Sequence, residues 1–287
     1  TAIVLAIEVV LLGYKKSSVY RLLHPSRSTW TDIACFVTKI LGLQTLLFAL
    51  SSLGLSFVAG RVAEKYLGVH VLGRVESPVL RFFIFLVVSD FLDYWLHRAR
   101  HGFGWWWEFH KAHHSAEEFN AITTARGHPF DGVAIVVTSA IPVALLGGEM
   151  EEAIPVLLVF AIHAGLTHSM LPWSWGWFGR YVVFPPTGHR VHHSPLPEHM
   201  DTNFGAIFPI WDWIFGTYYK GDVLNEEVGV DDNYQNVHGI GFDFVECYRR
   251  AFHSLIGRAP DAQLEPTPVP ARPSLLPPTL RPSVPPR

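Results

Sequence analysis

The chain has 287 residues, 49% of them hydrophobic, a mean hydropathy of +0.22 and only 16% charged residues. A soluble enzyme carries about 25% charged residues, so this composition reads as an integral membrane protein. A net charge of −3 and the lack of a basic stripe interleaved with aromatics speak against nucleic-acid binding. Two cysteines far apart, Cys35 and Cys247, supply neither a disulfide framework nor a thiolate metal site.

In chain order, residues 1–12 form an apolar start too short to cross a bilayer, since spanning takes about 20 apolar residues. Residues 33–60 are long enough to span with tilt, and residues 79–96 make a second span that runs into a first pair of histidines, His97 and His101. A second group, His110, His113 and His114, follows the run Trp105-Trp106-Trp107, which either lines a substrate path or forms an interfacial belt. Residues 132–146 and 153–171 read as a membrane hairpin about an acidic turn, with kinks at Pro142 and Pro155. A third group, His189, His192 and His193, lies in the aromatic region 173–219, read as interfacial helices and loops. Ten of the last 28 residues are Pro, which predicts a disordered tail.

These pieces predict an all-α integral membrane protein: a bundle of about four transmembrane helices with a cytosolic histidine-rich helical cap. The expected divisions are an N-terminal membrane segment over 1–78, a catalytic region over 79–256 and the Pro-rich tail over 257–287. Basic residues set the orientation. Lys15, Lys16, Arg21 and Arg27 precede the first long span, Arg98, Arg100, Lys111 and Arg126 follow the second, and Arg180 and Arg190 follow the hairpin. The positive-inside rule then puts all three histidine groups on the cytoplasmic side, against Arg61, Lys65 and Arg74 in the one loop that must lie opposite.

On a helix, residues three and four apart share a face, so each group can aim its imidazoles at one point. Eight converging rings exceed a single tetrahedral zinc site and fit a dinuclear centre of four to five ligands per metal. His168, at the cytoplasmic end of the hairpin, is a ninth candidate. His163, about 140° around the same helix, is an outer candidate or a core histidine. Asp90, Asp93 and His97 lie on one helical face, and Asp93, one turn before His97, is expected to accept the spare N–H of a ligating ring. His128 either lines the site or caps the helix that follows, with the cap favoured.

The order of His97-Arg98-Ala99-Arg100-His101, His110-Lys111-Ala112-His113-His114-Ser115, Thr167-His168-Ser169 and Gly188-His189-Arg190-Val191-His192-His193 resembles the sterol desaturase and fatty acid hydroxylase superfamily of membrane di-iron enzymes. The segments Asp201-Thr202-Asn203-Phe204-Gly205 and Trp211-Asp212-Trp213-Ile214-Phe215-Gly216-Thr217-Tyr218 are also similar to that superfamily's C-terminal catalytic region. The resemblance covers roughly residues 80 to 220. It departs at Met170, where relatives often carry Asn.

The resemblance implies two iron ions held by His97, His101, His110, His113, His114, His168, His189, His192 and His193, with O2 as co-substrate and a membrane lipid as substrate. Zinc can replace iron during purification. No fused b-type cytochrome is visible, so electrons are expected from a separate ferredoxin, b-type cytochrome or reductase. Hydroxylation of an unactivated C–H bond is the favoured reaction, and desaturation is the alternative with the same ligands. A zinc hydrolase is disfavoured because no His-Glu-x-x-His helix is present. A divalent-metal transporter is disfavoured because the histidines sit at span ends and not at the midplane.

Overall fold

The computed structural model describes residues 2–52, 61, 65–66, 72–148, 150–221, 227–230, 234–236 and 238–258, and the Pro-rich tail lies outside them. Among the described residues every regular element is helical. The apolar start is α1 (Ala2–Leu12), whose buried Glu8 accepts the backbone N–H groups of Ser18 at 2.6 Å and Met170 at 2.7 Å. A short α2 (Ser18–Leu23) follows, and Ser26 then caps α3 (Arg27–Ile40) by accepting the N–H of Thr29.

The single span expected over 33–60 is corrected here. α3 stops at Leu41, Gly42 turns the chain with φ +72°, and α4 (Leu43–Ser52) starts afresh; residues 53–60 lie outside the described ones. A glycine in the left-handed region just past a helix satisfies the last carbonyls and ends it.

The longest element is α5 (Pro78–Gly102), entered through a Ser77 cap and a proline at the first turn, where no N–H is required. It runs past residue 96 without a break, so His97 and His101 ride on a rigid rod of about 37 Å. α6 (Gly104–His114) follows directly.

The hairpin begins with a 3₁₀ turn at Pro129–Gly132, α7 (Val133–Ile135), a π turn at Val136–Ala140 and α8 (Ile141–Leu146). The widened turn sits just before Pro142, whose ring clashes with the carbonyl four residues back and cannot donate to it. Gly147 reverses the chain at φ +70°, and α9 (Met150–Thr167) returns. By length and composition one described stretch, Pro129–Leu146, is apolar enough to cross a membrane.

Beyond it lie α10 (Gly176–Tyr181), α11 (Pro186–His192), α12 (Ile210–Phe215) and α13 (Ile240–Leu255). Phe85 and Leu86 of α5 pack with Leu146, Ala153, Val156 and Ile207 in one core. Phe109 and Ala112 of α6 pack with Tyr234, Cys247 and Ala251 in another. Each large apolar side chain buried in this way contributes roughly 1.5–3 kcal/mol. The first core fixes α5 against α8 and α9 and the second fixes α6 against α13, and the histidine-bearing ends of α5, α6, α9 and α11 face one point.

Candidate metal centre

Nine imidazoles from those four helix ends gather into two groups. His97, His101, His110, His114 and His192 form the first and His113, His168, His189 and His193 the second, and within each group one ring nitrogen per residue lies within 4.8 Å of all the others. The groups abut. His114 and His193 stack with centroids 4.1 Å apart and planes 15° apart.

The second and third sequence boxes are each divided between the groups while the first stays whole, and helix geometry explains how. Residues four apart stay together, as in His97 with His101, His110 with His114 and His189 with His193. Residues three apart separate, as in His110 from His113 and His189 from His192. A step of four turns the helix about 40° past a full turn, whereas a step of three falls about 60° short. At the close range of two adjacent groups that difference selects which one a ring joins.

Hydrogen bonds fix which nitrogen points inward. Nδ1 of His97 donates to the Phe204 carbonyl at 3.0 Å, that of His192 to Thr202 at 2.8 Å, that of His113 to Arg126 at 3.0 Å and that of His168 to Ala164 at 2.8 Å. A carbonyl can only accept, so each Nδ1 carries the proton and each Nε2 presents a bare lone pair. Nε2 of His113 and Nε2 of His168 then face each other at 3.2 Å. Lone pair against lone pair repels unless a cation lies between. Similar Nε2 to Nε2 approaches occur between His101 and His114 at 3.2 Å and between His168 and His189 at 3.0 Å. Nε2 of His97 and His192 and both nitrogens of His110 and His193 are buried without a hydrogen-bond partner. Burial, followed by repulsion from neighbouring rings, holds His110, His114, His189 and His193 well below the usual imidazole range, and His113 likewise. Burial takes His192 to about 3. Neutral, converging imidazoles are the donor set a first-row transition metal requires, and the residues present fit such ions.

Asp93, one turn before His97, is not the acceptor of that ring's N–H. The spare N–H of His97 goes to the Phe204 carbonyl, because the chain after the third box folds back against α5 and reaches the ring first. The acids that act on that contact are Asp90 and Asp212. Asp90 accepts the N–H groups of Ile207 at 2.8 Å and Phe208 at 3.1 Å and the indole of Trp211 at 2.8 Å. Asp212 accepts the N–H groups of Phe204 and Gly205, each at 2.8 Å. Together they pin the loop whose carbonyls orient His97 and His192. Asp90 was visible in the sequence as an acid inside an apolar span; its partners, 117 to 121 residues away, were not.

The second group has its own anchor, which the sequence did not reveal. Arg126, whose carbonyl orients His113, is gripped by Asp32 at 2.6 Å and by Ser115 and the Ser28 hydroxyl, with both charged side chains essentially inaccessible. Two further carboxylates approach outer ring nitrogens: Asp201 lies 3.5 Å from Nδ1 of His101, and Asp131 lies 4.0 Å from Nδ1 of His110 and 3.7 Å from Arg100. His163 stays outside both groups, buried beside the Phe184 and Ala206 carbonyls with its ring 6.4 Å from that of Trp175. His128 caps the Pro129 turn through its own Nδ1, as the sequence suggested.

Two cavities reach the rings. One of about 290 Å³ touches His110 and His113 and is walled by Lys39, Gln44 and Thr45 and by the foot of the apolar hairpin from Arg126 to Gly132 and Ala134. The other, of about 330 Å³, touches His101, His114 and His192 and opens past Trp107, Lys111, Met200 and Asp201. The tryptophan run is thus divided, with Trp107 against His101 and His114 and with Trp105 and Trp106 packed on Phe130.

Two abutting, largely buried, all-imidazole groups on an all-helical frame give the chain donor sets that could hold metal ions. Residues 82–217, just under half of the chain, match the family model described as fatty acid hydroxylase, in keeping with the superfamily that the histidine boxes resemble. Alkylglycerol monooxygenase of Caenorhabditis elegans is 30% identical over 136 residues, 46% of this chain and 26% of the relative. Ornithine lipid hydroxylase OlsE of Rhizobium tropici is 28% identical over 224 residues, 77% of this chain and 65% of the relative. The human alkylglycerol monooxygenase is 32% identical over 160 residues, 53% of this chain and 33% of the relative. The chain therefore spans between a quarter and two thirds of the length of these relatives. No solved structure matches it.

Proposed function

We propose that this chain is an O2-dependent lipid hydroxylase whose two iron ions are held by His97, His101, His110, His114 and His192 and by His113, His168, His189 and His193. The observation that carries the reading is the pair of facing Nε2 lone pairs on His113 and His168, each fixed by a backbone carbonyl, within a family of lipid oxygenases. The chemistry supplied by such a bound pair of ions is activation of dioxygen for attack on an unactivated C–H bond, which no side chain can perform. The overall balance is one O2, two electrons and two protons consumed, one oxygen atom placed in the lipid and one released as water. The electrons come from a separate donor, a ferredoxin, b-type cytochrome or reductase.

The side chains have definite tasks in this reading. His97, His113, His168 and His192 hold one tautomer because a carbonyl takes the Nδ1 proton, so their donor nitrogens need no reorganisation. The cavity at the foot of the hairpin receives the acyl chain from the bilayer and brings it against His110 and His113. The cavity bounded by Lys111 and Asp201 faces water and serves O2 and protons. The frame is a membrane bundle of about four spans under a histidine cap on the cytoplasmic side, with Pro129–Leu146 as one span and α5 and α9 beside it. Relatives named for ornithine lipids and alkylglycerols support a substrate with a polar head and a hydrocarbon chain.

The test is mass spectrometry of lipids from cells making the chain, with and without a co-expressed donor, under 18O2. A lipid carrying a labelled hydroxyl is the expected result. A new double bond without label would make it a desaturase, and zinc with no oxygen-dependent product after iron loading would overturn the oxygenase reading.

A further inference from the structure

α13 is inside out. The face it buries carries Asp243, Glu246, Cys247, Arg250 and Ala251, and the face it exposes carries Phe242, Val245, Tyr248, Phe252 and Leu255, followed by Ile256. Val245 is 71% exposed and Leu255 63%. Spacings of three, four and seven put the apolar set on one stripe along the helix. The inner face is satisfied by protein: Arg250 meets Glu108 at 3.0 Å and lies over the Tyr234 ring, and Cys247 meets the Tyr234 hydroxyl at 3.2 Å. In water this arrangement would waste the outer stripe. A medium that favours apolar groups on the outside makes it reasonable.

We propose that α13 lies in the boundary between headgroups and acyl chains of the bilayer, with this stripe in lipid. The proposal rests on the membrane reading above and not on the metal. Its position favours lipid over a protein partner. Phe130 donates its N–H to Nδ1 of His128, so Nε2 of His128 carries the proton and donates to the Phe244 carbonyl at 3.1 Å. The same ring packs on Phe244 and Tyr248. His128 immediately precedes Pro129, where the membrane-length stretch begins, so α13 is pinned at the foot of that stretch. At its other end Ser254 abuts Gly104, beside Phe103, which is 55% exposed. The apolar stripe therefore continues toward the end of α5. Arg249, which also pairs with Glu246 at 2.6 Å, and His253 follow one flank of it, where basic residues lie on helices that meet headgroups.

The experiment uses the full chain in nanodiscs of phosphatidylcholine and phosphatidylglycerol, spin-labelled at single cysteines replacing Val245, Phe252 or, as a control on α9, Leu158. Cys35 and Cys247 are buried and remain in place. Labels at 245 and 252 are expected to collide severalfold more with oxygen than with a water-soluble nickel chelate. If they favour the chelate while the label at 158 favours oxygen, the proposal falls and the membrane reading stands. If all three favour the chelate, the membrane reading falls too. Protection from both relaxers would mean a covering protein segment, and spin–spin broadening would mean a second copy; either overturns the proposal.

Discussion

The two histidine groups are built from the same helices yet held by different devices. The first depends on a loop, residues 202–208, that two buried acids from elsewhere keep in place: Asp90 on α5 and Asp212 on α12. The second depends on Arg126, locked by Asp32 of α3, and on His168, whose ring bonds back into its own helix at Ala164. One group is therefore referred to α5 and the C-terminal part of the site, the other to the N-terminal helices and the hairpin. The outer partners that orient the two sets of rings do not overlap, so metals held there as proposed would be tuned separately.

The largest effects should come from the ligands themselves. His192→Ala and His113→Ala each remove one donor, from different groups, and are expected to lower turnover by more than the roughly 10–100-fold that outer partners control. Iron content should drop toward one per chain in both, from different positions. Full turnover in either variant would strike that residue from the ligand set.

Next come the anchors, which put the separation to the test. Asp32→Ala leaves the Arg126 guanidinium buried without its carboxylate, a change that costs about 3–5 kcal/mol in comparable sites, and should weaken the His113 group. Asp212→Asn retains size while offering an amide N–H to N–H donors of the 204–205 backbone, and should weaken the His97 group. Metal titration of the two variants, read by site-resolved spectroscopy, should show opposite patterns. Equal loss of both metals in each would mean that the groups respond as one unit. Gly205→Ala acts on the same loop: a Cβ there would lie 2.7 Å from the Phe208 carbonyl and 2.8 Å from Asp212, so the loop must shift. An overpacking cost of about 1–3 kcal/mol is expected, with metal loss confined to the first group.

The pH dependence follows from burial and has a fixed sign. Folding lowers His192 to about 3 and His128 to about 4, from an ordinary value near 6.5. The unfolded chain thus takes up protons first, so the stability these neutral rings contribute is complete above pH 6.5. It is lost as pH falls from there through 4 and 3. Denaturant melts of metal-free protein should show a falling midpoint below pH 6.5. A rising midpoint would contradict the buried, neutral state of the rings.

How much of this could be read from the sequence depends on distance along the chain. Eight of the nine histidines stood out because three- and four-residue spacing is local, His168 came from its place at the hairpin's end, and the all-helical frame followed from apolar stretches of helical length. The break at Gly42 was also local, yet a run of apolar residues over 33–60 masked it. Asp93 illustrates the limit. It satisfied a one-turn rule toward His97, but the ring is taken by Phe204, 107 residues on, and no local pattern encodes that fold-back. Asp32 and Arg126 are hidden for the same reason, being 94 residues apart. α13 escaped for a different one: its apolar stripe faces outward, so a reading that assigns apolar faces to a protein core misplaces it.

The smallest expected effect is also a sharp control. His163 is buried and only five residues before His168, so sequence proximity alone would make it an outer partner of the second group. The structure sets its ring beside the carbonyls of Phe184 and Ala206, outside both groups of proposed ligands. His163→Gln keeps a donor of similar reach, and should change stability by about 0.5–3 kcal/mol, as for most buried substitutions, with iron content and turnover unaltered. A selective loss of metal from the His113 group would instead show that α9 transmits orientation from His163 to His168. The second group would then depend on its own helix more than on the Asp32–Arg126 anchor, and the contrast between the two groups would have to be redrawn around α9.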